Sequence, residues 1–212
     1  MVQVIPSILT ISPQEAKDLI ERIEEVCERA QVDIVDGVFA ANKTIDPSAL
    51  AGLDINIMLD FHLMTKEPID WVERALHAGA DRIIGQIEMM TNQEEFVGKV
   101  QEGGASVGLA IDIDTPVSQI DKEILTSLDV VLVMSVKAGH GGQEFDERAM
   151  EKIVALSKIK TKDLSPFRIC VDGGVDEKNI GEISAAGADE VVIGKRLFEG
   201  DLAENIKKLE SQ

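Results

Sequence analysis

The segment AAGADEVVI, Ala185–Ile193, compresses a helix stop and a strand start into one short run. Gly187 is placed to end a helix, and the apolar run Glu190–Ile193 has the composition of a buried strand. The same junction recurs as HAGAD at His77–Asp81 and, more loosely, as EGGAS at Glu102–Ser106. Such repetition implies αβ units joined in series. By the same pattern, strands are expected at Val2–Leu9, Val32–Val35, Ile55–Phe61, Arg82–Ile87, Ser106–Ile111, Val130–Met134, Arg168–Val171 and Glu190–Ile193. Ser12, Pro13 and Glu15 form a capping box ahead of a helical run, AKDLIERIEEVCERA, to Ala30. Further helices are expected at Pro68–His77, Gln93–Glu102, Pro116–Ser127, Glu147–Ser157, Glu177–Ala186 and Leu202–Leu209. The Asn42–Asp54 connection has room for only one or two turns around Pro47–Leu50. This pattern, with no linker or low-complexity tract, predicts one α/β domain over 1–212, a closed (β/α)8 TIM barrel; an open doubly wound sheet is the alternative. Barrel chemistry belongs at the C-terminal ends of the strands.

The 212-residue chain has a formal charge of −18 and 44% hydrophobic residues. That charge argues against nucleic acid or an anionic membrane as partner, though a small anion responds to its pocket's local field. Cys27 and Cys170 are far apart and outside any CxxC pair, which suggests structural thiols. The start, MVQVIPSILT, lacks the pattern of a secretory leader, and no apolar run reaches about 20 residues, so a cytoplasmic protein is expected.

The expected strand ends gather Ser7, Asp33, Asp36, His62, Met64, Glu88, Asp112, Asp114, Met134, Ser135, Asp172, Gly194 and Lys195. Each taken alone could cap a helix or bind a loop amide. Asp36, followed by Gly37, reads as a turn residue. His77 suits a helix C-terminus, where its charge meets the dipole. His140 reads equally as a lid or a surface residue.

The segments IPSIL, VDIVDGVFAAN, DFHLM, VLVMSVKAGHGGQEF, CVDGGV and VVIGKRLF resemble, in order and spacing, the ribulose-phosphate 3-epimerase family. The resemblance spans almost the whole chain, and VMSVKAGHGGQEF followed by VDGGV is its most specific part. It implies a phosphate-binding barrel that inverts the carbon beside a ketose carbonyl. Such a carbon acid needs a base on one face, an acid on the other, and stabilisation of the enediolate oxygens. The resemblance implies that Asp33 and Asp172 are this pair, approaching from roughly opposite sides of the barrel mouth. It also implies a divalent ion (Zn, Mn, Fe or Co) held by Asp33, His62 and Asp172.

Here the chain departs from the pattern. Gln31 stands where the family has a histidine, Gln86 replaces a second, and Val35 replaces a methionine. Either Gln31 is a weaker fourth ligand, or catalysis proceeds without metal, or the site only binds. Gly141, Gly142, Gly173, Gly174 and Gly194 would let backbone amides approach phosphate, joined or not by Lys195. Ser7, His62 and Met64 match positions expected to contact the sugar. Asp112 and Asp114 would add charge near the mouth.

The expected partner is a phosphorylated ketose, ribulose 5-phosphate or xylulose 5-phosphate, and related barrels suggest a homo-oligomer. The rivals are an epimerase for another ketose phosphate, such as a hexulose 6-phosphate, and a non-catalytic phosphosugar binder. Related decarboxylase and synthase barrels carry a DxK motif, where this chain reads LDFHLM.

Overall fold

A computed structural model describes residues 2–160 and 167–212. Among them eight parallel strands close into a barrel in sequence order: β1 (Gln3–Ile8), β2 (Arg29–Val35), β3 (Met58–Met64), β4 (Ala80–Gln86), β5 (Ser106–Ile111), β6 (Val130–Met134), β7 (Arg168–Asp172) and β8 (Glu190–Ile193). The pairings Gln3↔Glu190 through Pro6↔Ile193 seal β1 to β8. The closed barrel therefore replaces the open-sheet alternative. Outside it lie α1 (Pro13–Glu24), α2 (Val72–His77), α3 (Gln93–Glu102), α4 (Arg148–Lys160), α5 (Ile180–Ala186) and α6 (Leu202–Glu210). No helix of the described residues is long and apolar enough to cross a membrane.

The strands are buried on both faces, so their period of two separates two environments rather than core from water. On β2, Ala30, Val32 and Ile34 pack outward against the helices; on β3, Leu59, Phe61 and Leu63 do the same. The alternate residues point inward. Some fill the barrel with apolar bulk, as Ile5, Val35, Met64, Ile84, Leu132 and Cys170 do. The rest form two polar layers. The layer at the N-terminal end joins Arg82 to Asp60 and Glu190, all at most 4% exposed. The other lies at the C-terminal end.

Several boundaries differ from the sequence expectation. α1 ends at Glu24, not Ala30, because Arg29 and Ala30 are drawn into pairing with Met58 and Leu59. That register also moves β3 from the expected Ile55–Phe61 to Met58–Met64. Ile55 and Ile57 remain apolar, but as half-buried residues of the connection, packed on the outer core. The expected helix Pro116–Ser127 is absent; only 3-10 turns form at Val117–Gln119 and Leu125–Ser127. Side chains of α3 satisfy backbone groups there, Gln93 bonding Gln119 O and Asp121 N and Gln101 bonding Ser127 O. Helical bonds are not needed where such partners exist.

At α1 the Ser12 hydroxyl accepts from Glu15 N at 3.2 Å, as the capping box requires. Its reciprocal half is diverted: Glu15's carboxylate takes the Thr10 hydroxyl, whose oxygen accepts from Ser12 N. Gly187 ends α5 at φ 114°, as its sequence pattern demands.

Candidate functional site

The second polar layer is built from the inward residues of β2, β3, β4 and β7. Register places Asp33 beside His62, while Gln31 lies one layer lower on β2. β2 and β7 are separated in the ring by β1 and β8, yet their acids meet. Gln31 Nε2 donates to Asp33 Oδ1 and to Asp172 Oδ2, at 2.8 Å each. The two carboxylates, carried by non-adjacent strands, are thus joined through one amide nitrogen. Inward side chains of an eight-stranded barrel fill a narrow interior, which brings acids from non-adjacent strands together.

His62 is fully buried beneath them. Its Nδ1 lies 3.3 Å from Asp33 Oδ1 and 3.7 Å from Asp172 Oδ2. Its Nε2 is 2.9 Å from Gln86 Oε1, while Gln86 Nε2 donates to Glu88 Oε2 at 2.8 Å. Because Glu88 can only accept, Gln86 presents its oxygen to His62, so Nε2 carries a hydrogen. Burial alone would depress the imidazole, but the Asp172 and Asp33 carboxylates outweigh it and raise His62 to about 10. Burial pushes the Asp33 carboxyl above its ordinary value, the His62 bond opposes that, and the charge of Asp172 reinforces it.

Asp33, His62 and Asp172 each offer a ligand atom, and these atoms lie within 4.8 Å of one another, a candidate divalent-cation group. Two carboxylate oxygens and an imidazole nitrogen suit such an ion. Gln31 Oε1 is buried with no hydrogen-bond partner among the described residues. An orphaned acceptor beside two acids is what a fourth oxygen ligand would leave when turned away.

Above this layer opens a cavity of about 770 Å³. Asp33 and Asp172 sit in its lining, with Ser7, Met64 and Met134. Gly141, Gly142, Gly173, Gly174, Gly194 and Lys195 line it too, so the expected sugar and phosphate residues share one space. His62 and Gln31 do not reach the lining; both are shielded below, so His62 stands apart from the sugar contacts it was expected to share. Gly173 and Gly174 have φ of 112° and 60°, and a Cβ on Gly174 would lie 2.2 Å from Phe145 N. Only glycine lets the β6 and β7 loops approach so closely. Lys195 is exposed, with no ion-pair partner among the described residues, while Arg196 pairs with Asp176 at 3.2 Å.

Sequence reasoning missed some of the site's parts. Arg22 of α1 reaches the cavity lining and lies 5.5 Å from the Phe198 ring centroid, yet only its place on an amphipathic helix marked it. Thr44 donates to Asp33 O at 2.8 Å and accepts from Val35 N at 2.9 Å, clamping the C-terminal end of β2 from a connection. Ser135, recognised only as a strand-end residue, donates to the carbonyls of Asp172 and Gly173. His140 is exposed on the lining, and its carbonyl accepts from Gln143. Asp112 and Asp114 do not line the cavity: Asp112 accepts from Ala138 N and Asp114 pairs with Arg148.

Asp36 has the turn role its sequence suggested. One oxygen accepts from Val38 N and Phe39 N at 2.7 and 2.8 Å, the other from Lys66 N at 2.8 Å. Partial burial raises this carboxyl, but the amides of Phe39, Lys66 and Val38 together hold it below its ordinary 3.8. A depressed carboxyl stabilises fully above its unfolded value and loses that contribution as pH falls through the folded one. Asp36→Ala is expected to destabilise by about 1–2 kcal/mol at pH 7, by analogy with a lost helix cap. In urea melts at stepped pH, the gap from wild type should close in acid below 3.8; a gap constant with pH would sever the carboxylate from the loop's stability.

Comparison with known proteins converges on one family. A family model described as ribulose-phosphate 3 epimerase family matches residues 3–198. The chain is 35% identical to the chloroplastic ribulose-5-phosphate-3-epimerase of Arabidopsis thaliana, with 97% of this chain and 75% of that protein covered. It is 34% identical to the ribulose-phosphate 3-epimerase of Escherichia coli strain K12, covering 92% and 88%. Among solved structures, a 3-hexulose-6-phosphate synthase aligns with a TM-score of 0.70 over 99% of both chains at 15% identity, a likeness of fold alone.

Proposed function

The chain belongs to the ribulose-phosphate 3-epimerase family, isomerases of sugar phosphates, and from that premise we propose that it interconverts ribulose 5-phosphate and xylulose 5-phosphate through Asp33 and Asp172. The observation that carries this reading is the convergence of the two carboxyls in a cavity whose lining they share with the glycine loops.

The phosphate fits the end formed by Gly173, Gly174 and Gly194, where backbone amides approach without side-chain obstruction. Lys195 and Arg22 add positive charge to an otherwise acidic chain. Ser7 and Met64 then contact the sugar over the acids. One aspartate removes the proton from C3 as carboxylate, and the other returns a proton to the opposite face as carboxylic acid. Reversal of direction exchanges the roles. Burial pushes the Asp33 carboxyl above its ordinary value, which strengthens it as a proton acceptor. Without an ion, Gln31 bonds both acids and fixes their separation, while Gln86 and Glu88 fix the His62 ring. A divalent ion held by Asp33, His62 and Asp172 supplies, when bound, positive charge for the enediolate oxygens.

Proton NMR of ribulose 5-phosphate with the protein in D2O tests the reading. Deuterium at C3 accompanied by xylulose 5-phosphate is the expected result, in manganese- or zinc-supplemented protein. Phosphosugar binding without exchange would overturn it in favour of a non-catalytic binder, and exchange confined to a hexulose 6-phosphate would reassign the substrate.

A further inference from the structure

Gln31 is fully buried, and its carboxamide points one way. The group has two N–H donors, one oriented to each aspartate at 2.8 Å, and its oxygen has no hydrogen-bond partner among the described residues. Turning the group about its terminal bond would aim a carbonyl oxygen at two carboxylates, and charge repulsion disfavours that. A divalent ion among Asp33, His62 and Asp172 reverses the preference, because a cation repels N–H hydrogens and attracts a carbonyl oxygen. The turn exchanges the two ends of the carboxamide in place, and the oxygen end has no hydrogen bond to give up among the described residues.

We propose that Gln31 is a two-position element of the cation site. With nitrogen inward it bridges Asp33 and Asp172 by hydrogen bonds; with oxygen inward it joins Asp33, His62 and Asp172 as a ligand. The inference deepens the reading of these residues as a cation site and rests on it. A histidine at position 31 could not reproduce the state in which two N–H groups of one nitrogen reach both acids, because an imidazole nitrogen carries at most one hydrogen. Gln31 therefore keeps the acids together without an ion, at the expense of ion affinity: loading the site breaks two charge-assisted hydrogen bonds before a ligand is gained. The consequence is an ion that exchanges readily from a protein whose fold does not depend on it.

Two readouts independent of turnover test this in the full chain. In 15N-labelled, chelator-treated protein, the Gln31 side-chain amide, identified by its loss in Gln31→Met, should give a downfield pair protected from solvent exchange. Saturating zinc should move that pair upfield, because its hydrogen bonds to the two carboxylates are lost. In calorimetric titration with zinc alone, Gln31→His should bind roughly 10–100-fold more tightly than wild type, the range seen when groups around a metal are changed. Its melting temperature in chelator should fall below that of wild type, so zinc should raise it further. An amide pair unmoved by bound zinc overturns the oxygen-inward state, as does zinc uptake by Gln31→His with none by wild type. Equal affinities together with equal melting temperatures in chelator overturn the bridging role. Absence of zinc binding in both proteins removes the cation site and the proposal with it, yet leaves the D2O assay free to succeed, so the two failures are distinguishable.

Discussion

Replacing Asp172 by Asn is expected to lower kcat for inversion by roughly 10²–10⁴-fold, the usual worth of a positioned acid or base. The substitution is nearly isosteric, and an Asn oxygen can still accept from Gln31 Nε2, which now bonds Asp172 at 2.8 Å. Folding should therefore be retained, as should phosphosugar binding through the glycine loops. The informative signal is a split between exchange and inversion. On the proposed assignment Asp33 remains a competent base, so the epimer that presents its C3 hydrogen to Asp33 should still exchange with D2O while the product epimer fails to accumulate. Asp33→Asn should show the same split with the other epimer. Inversion at the wild-type rate in Asp172→Asn would remove Asp172 from the chemistry.

The largest stability effect is expected at the opposite end of the barrel. Arg82 is 4% exposed and holds two carboxylates, Asp60 and Glu190, that are themselves 0% and 2% exposed. Arg29 reaches Asp60 and Arg168 reaches Glu190 from the rim. Burial pushes the Asp60 carboxyl up, against the attraction of Arg82 and Arg29; burial also pushes the Cys170 thiol up, leaving it a neutral packing group. Arg82→Met removes the central charge and leaves two acids facing each other out of water. Breaking a buried ion cluster in this way destabilises by about 3–5 kcal/mol. The midpoint of urea unfolding should fall accordingly, and replacing Asp60 by Leu and Glu190 by Met in the same chain should restore most of the loss. An unchanged midpoint for Arg82→Met alone would mean that Arg29 and Arg168 carry the layer between them.

Both predictions concern polar residues inside a barrel, and this is where sequence and structure informed differently. The glycine junctions at Gly79 and Gly187, the capping residues Ser12 and Pro13, and the short apolar runs announced alternating helices and strands because their causes are local. A helix stop or a buried strand is written within a few neighbouring residues. Residue types also announced chemistry, since Asp33, His62 and Asp172 fall at strand ends in a family pattern. Where competition was tertiary, local patterns misled. Ile55 and Ile57 are as apolar as a strand, yet the β2 register begins β3 at Met58; the segment after Pro116 has helical spacing, yet α3 satisfies its backbone instead.

Residue pattern alone carried the series of αβ units, the family resemblance and the departure at Gln31, while the pairing of β1 with β8 chose the closed barrel over an open sheet. What the departure at Gln31 does emerges only in the folded chain. Gln31 and Asp172 are 141 residues apart and lie on strands that do not touch, so no spacing rule relates them. Barrel closure sends both side chains to the same axis, and there the two hydrogens of one amide nitrogen meet two carboxylates. Arg22 reached the cavity in the same way, through helix packing rather than proximity in the chain.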